Sequence, residues 1–176
     1  MPQRALSRLS VRVRPGRRTQ GWLRAGGATV PVALGRAGVK ANKREGDGAT
    51  PRGVFRIVRL WWRADRHPRP VTLLPVRRIA SDDGWCEDPA DRRYNRPIKI
   101  PPASGADRLM RSDRLYDFVL ELDHNTRPRI AGRGSAIFLH VARAGLAPTA
   151  GCIALELKTL RRLLARLGPR STIVIA

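Results

Sequence analysis

Residues 135–157, SAIFLHVARAGLAPTAGCIALEL, carry a strand, a loop and the start of a helix in one run. Ile137, Leu139 and Val141 alternate with Phe138, His140 and Ala142, the period of a strand. A Gly-, Ala- and Pro-rich loop follows and delivers Gly151-Cys152. Leu157, Leu160, Leu163, Leu164 and Leu167 then recur at helical spacing, which predicts a helix almost directly after the cysteine and a stop at Gly168. The run thus offers a histidine on a rigid strand and a cysteine at the end of a loop.

A cysteine attacks carbonyl carbon as thiolate and needs a base or a positive field beside it. Imidazole is the side chain suited to take and return that proton near neutral pH. Gly151 permits close backbone approach next to the sulfur, where main-chain N–H groups can meet a developing oxyanion. Taken singly, Cys152 reads equally well as a small buried hydrophobe and His140 as a satisfied core residue.

His140, Thr149, Gly151, Cys152 and Ile153 together resemble the active-site motif of the YkuD-type L,D-transpeptidases, in which a strand histidine activates a cysteine in a Ser/Thr-His-Gly-Cys element. Ala150 stands where that family has a second histidine, and Ala154 where it has arginine. Thr50, Pro51, Gly53 and Phe55 within KREGDGATPRGVF, residues 43–55, resemble the same family's entry to a core strand beside the cleft, and are read as scaffold. The resemblance is strongest over residues 32–176, within a single domain spanning 1–176. It implies a mainly β, β-sandwich-like domain with one packed C-terminal helix. It implies cysteine-dependent acyl transfer on peptidoglycan stem peptides, with Cys152 accessible and activated as nucleophile, His140 as base and Gly151 in the oxyanion element. Acylation of Cys152 by carbapenems and a place in the cell envelope or periplasm are further implications. The alternatives are an L,D-peptidase that lets water resolve the same acyl-enzyme, and a non-enzymatic basic module that binds polyanions.

The chain has 176 residues, 42% of them hydrophobic, which suits one domain with a sizeable core. Its net charge of +21 is unusual and comes almost wholly from arginine. Such a charge attracts polyanions, but no Lys/Arg run is interleaved with stacking aromatics, so no specific nucleic-acid partner is expected. No stretch has the roughly 20 apolar residues of a membrane span. The first thirty residues hold no apolar core of a secretory signal. Arg17-Arg18 ahead of Ala28–Leu34 fits a strand better than a twin-arginine leader, because Arg24 interrupts it. Three scattered histidines and two cysteines, Cys86 and Cys152, suggest neither a metal site nor a disulfide framework, and no cofactor is implied.

Leu9–Val13 alternates as a first strand, and Gly21–Leu34 reads as a hairpin turning at Gly26-Gly27. In the GDG loop Asp47 is placed to bond neighbouring backbone N–H groups, and Lys43 or Arg44 is within reach of a substrate. Val54–Leu60 is a strand, while Trp61-Trp62 caps the core or walls a site. Ser81–Pro101 reads as a long loop able to act as a lid. Its Trp85, Tyr94 and Asn95 join Thr149 as candidate substrate-binding residues, and its Cys86 has no base nearby to make it a nucleophile. Ala106–Arg114 reads as one or two helical turns, Tyr116–Leu122 as a strand, His124 as a turn cap, and Thr172–Ile175 as the last strand.

Overall fold

The computed structural model describes residues 5–101 and 107–176. Its elements in chain order are β1 (Arg8–Arg14), β2 (Arg17–Ala25), β3 (Ala28–Ala33), β4 (Val39–Lys40), β5 (Thr50–Pro51), β6 (Gly53–Trp62), β7 (Val76–Arg78), β8 (Asp83–Trp85), β9 (Pro97–Lys99), β10 (Phe118–Leu122), β11 (Phe138–Val141), β12 (Ile153–Leu155), α1 (Leu157–Leu164) and β13 (Thr172–Ile175). The protein is mainly β with a single α-helix among the described residues. The large sheet runs β10-β11-β12-β3-β2-β1-β13-β6-β7, and β10 also pairs with β6, so the sheet closes on itself as a barrel or sandwich-like body. The β2–β3 hairpin turns at Gly26-Gly27 as the sequence predicts, with Ala25 opposite Ala28.

Alternation along β6, β10 and β11 separates two apolar clusters, not core from solvent. Leu60, Trp62, Phe118, Leu120, Leu122, Ile137, Leu139 and Val141 belong to the main core with α1 leucines Leu160, Leu163 and Leu164. Trp61, Val119, Ala136 and Phe138 point the other way, into a second cluster that holds Trp85 and Cys152. Every residue of β10 and β11 is accordingly buried. At about 25 cal/mol per Å² of apolar surface removed from water, two-sided burial of these strands stabilises the sheet more than one-sided burial would.

Several expectations are corrected. Between Cys152 and α1 lies the short strand β12, because Ile153 and Leu155 complete the core beside β11 before the leucine repeat begins. The helix ends at Leu164, ahead of Gly168, where the Leu167 N–H bonds back to the Leu164 carbonyl in a closing turn. Residues 81–101 are not one loop: β8 and β9 pair antiparallel there, Asp83 opposite Lys99. Residues 107–114 form bends, with an isolated bridge from Arg108 to Gly84, and no helical turn; Ala106 lies outside the described residues. Trp61 and Trp62 end β6 and face opposite clusters, so they join the cores and wall no site.

Candidate active site

β11 and β12 run parallel, with Leu139 opposite Ile153 and His140 opposite Ala154. Side chains two apart on a strand share a face. Phe138 and His140 therefore share the face of β11 that meets Cys152, two residues ahead of Ala154. The Cys152 thiol touches this strand directly: Sγ donates to the Ala136 carbonyl at 3.2 Å and accepts from the Phe138 N–H at 3.4 Å. Gly151, with φ +145°, makes the approach possible, since a Cβ there would stand 2.8 Å from the Ala49 carbonyl oxygen.

Thr149 ties the turn together. Its Oγ1 donates to the Cys152 carbonyl at 2.6 Å and accepts from the Gly151 N–H at 3.1 Å. Its backbone N–H and carbonyl bond Leu34 and Arg36, and Thr50 Oγ1 in turn accepts from the Gly35 N–H at 2.9 Å. The Thr-Pro-x-Gly-x-Phe scaffold thus reaches the cysteine turn through residues 34–36.

His140 is 6% exposed. Its Nδ1 stands 2.8 Å from the Val141 carbonyl, which can only accept, so Nδ1 carries the proton and Nε2 the lone pair. Burial, against a raising contribution from the Val141 carbonyl, pushes the imidazole down to about 4. The thiol is not the accessible, activated group expected from the sequence. Cys152 is 8% exposed, and burial pushes it up to about 12; the Phe138 N–H works against that rise, and Glu87 and Asp107 add to it. Desolvation outweighs every positive group nearby. Among the described residues no hydrogen bond joins Sγ to the imidazole, so the resting pair is neutral thiol and neutral imidazole.

Both side chains, with Thr149 and Gly151, line one cleft of about 410 Å³. Ala150 is exposed at its lip, whereas Ala154 is buried in β12 and leaves no side chain in the cleft. Arg36, Arg111 and Arg143 line the cleft from other segments. Lys43 lines the cleft too, anchored on Asp47 at 2.5 Å. Arg44 contributes its backbone: its N–H donates to Asp47 Oδ2 at 3.0 Å, as the Ala49 N–H does to Oδ1 at 2.8 Å.

Three carboxylates share the cleft, and sequence reasoning missed them all: Glu45, Glu87 and Asp107. Glu87 is exposed at the surface, yet desolvation by the protein around it, then Asp107 and Glu45, push it up to about 7. Asp107 is also raised, chiefly by burial, against the pull of Arg111. Glu87 and Asp107 come from segments without periodicity, which is why no pattern marked them.

Trp85, Tyr94 and Asn95 do not line the cleft; they pack behind its wall. Trp85 meets Phe138 edge-on at 5.0 Å and donates through Nε1 to Asn95 Oδ1 at 3.0 Å. Asn95 Oδ1 also accepts from the Ala136 N–H at 3.1 Å, fixing the residue whose carbonyl receives the thiol. The Tyr94 hydroxyl bonds Glu45 and accepts from the Gly134 N–H at 3.0 Å. Cys86 is buried in the β8–β9 hairpin, free of any disulfide. His124 donates from Nε2 to the Arg133 carbonyl at 3.0 Å, bonding the backbone of the next turn and not that of its own.

No helix among the described residues is long and apolar enough to cross a membrane. Comparison with curated proteins gave no match. A family model, the YkuD L,D-transpeptidase catalytic domain, matches residues 8–175. The match takes in β1 and β2 ahead of residue 32, as their place beside β13 and β3 in the sheet requires.

Proposed function

Because the chain belongs to the YkuD family of L,D-transpeptidase catalytic domains, we propose that it transfers acyl groups between peptidoglycan stem peptides through a Cys152 thioester. The observation that carries this reading is the placement of His140 on β11 and of Cys152 just ahead of the adjoining parallel strand β12, both lining one cleft, with Nδ1 committed to Val141 and Nε2 left for a proton.

Substrate entry turns the thiol from the Ala136 carbonyl toward Nε2. Sγ attacks the carbonyl carbon that follows the L-configured centre of the stem's diamino acid while its proton passes to Nε2. The oxyanion meets the Cys152 N–H first, because the resting Gly151 N–H is held by Thr149. Collapse breaks the C–N bond, and the imidazolium returns the proton to the departing amine of the D-amino acid. An amine on a second stem then attacks the thioester and gives its proton to Nε2, which passes it back to sulfur as the thiol leaves. Neutral partners suit this sequence, since an ion pair in so buried a site would be costly. Arg143 and Arg36 are the proposed holders of substrate carboxylate. Under this reading the protein acts in the cell envelope, where peptidoglycan stem peptides lie.

Ala150 favours a second reading. With a methyl group at the exposed lip of the cleft, water reaches the thioester from the acceptor side, and the same site becomes a peptidase. Incubation with stem tetrapeptide, with and without an added amine acceptor, separates the two by product mass. Under either reading a carbapenem forms one adduct on the peptide holding Gly151 and Cys152, read by intact-protein mass spectrometry and digestion. Cys152→Ala abolishes both turnover and adduct. Turnover retained in that variant would remove Cys152 from the mechanism, and adduct on Cys86 would show generic thiol exposure.

A further inference from the structure

A second depression lies outside the cleft, between α1 and residues 68–71, with a volume of about 780 Å³. Arg69, Lys158, Arg161 and Arg162 line it against one carboxylate, Glu156. None of the four cations is in an ion pair among the described residues. Beside them stand two of the most exposed apolar side chains of the molecule, Val71 at 78% and Leu73 at 67%. The segment presenting them is anchored. The Leu73 N–H donates to the Leu167 carbonyl at 3.1 Å, Thr72 Oγ1 to the same oxygen at 3.3 Å, and Leu74 is buried in the main core. In this irregular segment Thr72 and Leu74 turn inward, the first half-buried and the second buried, while Val71 and Leu73 stand exposed.

We propose that this face docks on an anionic lipid bilayer, with the α1 cations at the phosphate layer and Val71 and Leu73 inserted at the boundary between headgroups and acyl chains. Uncompensated cations alone would match any polyanion. A soluble anionic polymer, however, would leave the two apolar side chains in water, whereas a bilayer interface accommodates both charge and apolar surface at once. Neither His140 nor Cys152 lines this depression, so docking leaves the cleft open and is independent of the reaction assigned to it.

The test is sedimentation of the full chain with vesicles of phosphatidylglycerol in phosphatidylcholine, against phosphatidylcholine alone. The expected result is binding to the anionic vesicles only. Arg161→Glu with Arg162→Glu weakens it on the order of tenfold or more, and Val71→Ser with Leu73→Ser weakens it at unchanged net charge. Arg12→Glu with Arg24→Glu makes the same charge change around Trp22 on the outer face of the β1–β2 hairpin and has little effect. All six side chains lie at the surface, and thermal melting of each variant confirms the fold. The proposal fails if the wild type ignores anionic vesicles, or if the Arg12/Arg24 variant loses as much as the Arg161/Arg162 variant, which would mean attraction by net charge. It also fails if the serine variant binds like wild type, which would point to a soluble anionic polymer.

Discussion

Cys152 and His140 are held neutral by burial; carboxylates beside the thiol reinforce its neutral state, and Arg111 and Arg143 reinforce that of the imidazole. Glu87 shows this most directly, since its charge adds to the rise of the thiol. Glu87→Gln removes that charge, so alkylation of Cys152 by iodoacetamide should quicken several-fold above pH 7. Below about 7, where Glu87 is itself protonated, the variant and wild type should converge; a slowed or unchanged rate at high pH would contradict the assignment. His140 makes a second prediction, on stability. Its folded value, about 4, lies below the ordinary 6.5, so as pH falls through 6.5 the unfolded chain takes up the proton first. Stability is therefore lost from about pH 6.5 down to about 4, on the order of 3 kcal/mol from this group. His140→Gln should flatten that part of the urea-unfolding free energy plotted against pH, and an unaltered slope would assign the loss elsewhere.

At the scale of elements, the cysteine turn depends on what lies beneath it. Gly151→Ala would bring a Cβ within 2.8 Å of the Ala49 carbonyl at a φ of +145°. The cost is about 1–3 kcal/mol, read as a lower urea midpoint, with a raised KM as the 43–49 loop gives way; a midpoint equal to wild type would show the turn to be pliable. The elements with room to repeat a pattern were legible in the sequence: β1, the β2–β3 hairpin, β6, β10, β11, α1 and β13. Three-residue strands such as β8, β9 and β12 have no room for a period, and their place is set by partners distant in the chain. The same limit divides the site. His140, Thr149, Gly151 and Cys152 lie in one short run and were readable together. The roles of Trp85 and Asn95 were not, because a polar aromatic pair that braces Ala136 from behind looks in sequence like one that contacts a ligand.

For the whole molecule, the sheet order brings the two ends of the described chain side by side. β1 pairs with β13 in parallel, Arg8 opposite Thr172 through Val11 opposite Ile175, and β13 is clasped on its other edge by β6. A chain pulled apart from its termini would draw β1 and β13 past each other lengthwise. Their hydrogen bonds then bear the load together and do not open one at a time like a zipper. Single-molecule stretching from the termini should therefore show one high rupture peak, and pulling across the β2–β3 hairpin a lower one, where the bonds yield in succession. A domain of this build is a mechanical clamp along the line that joins its two terminal strands.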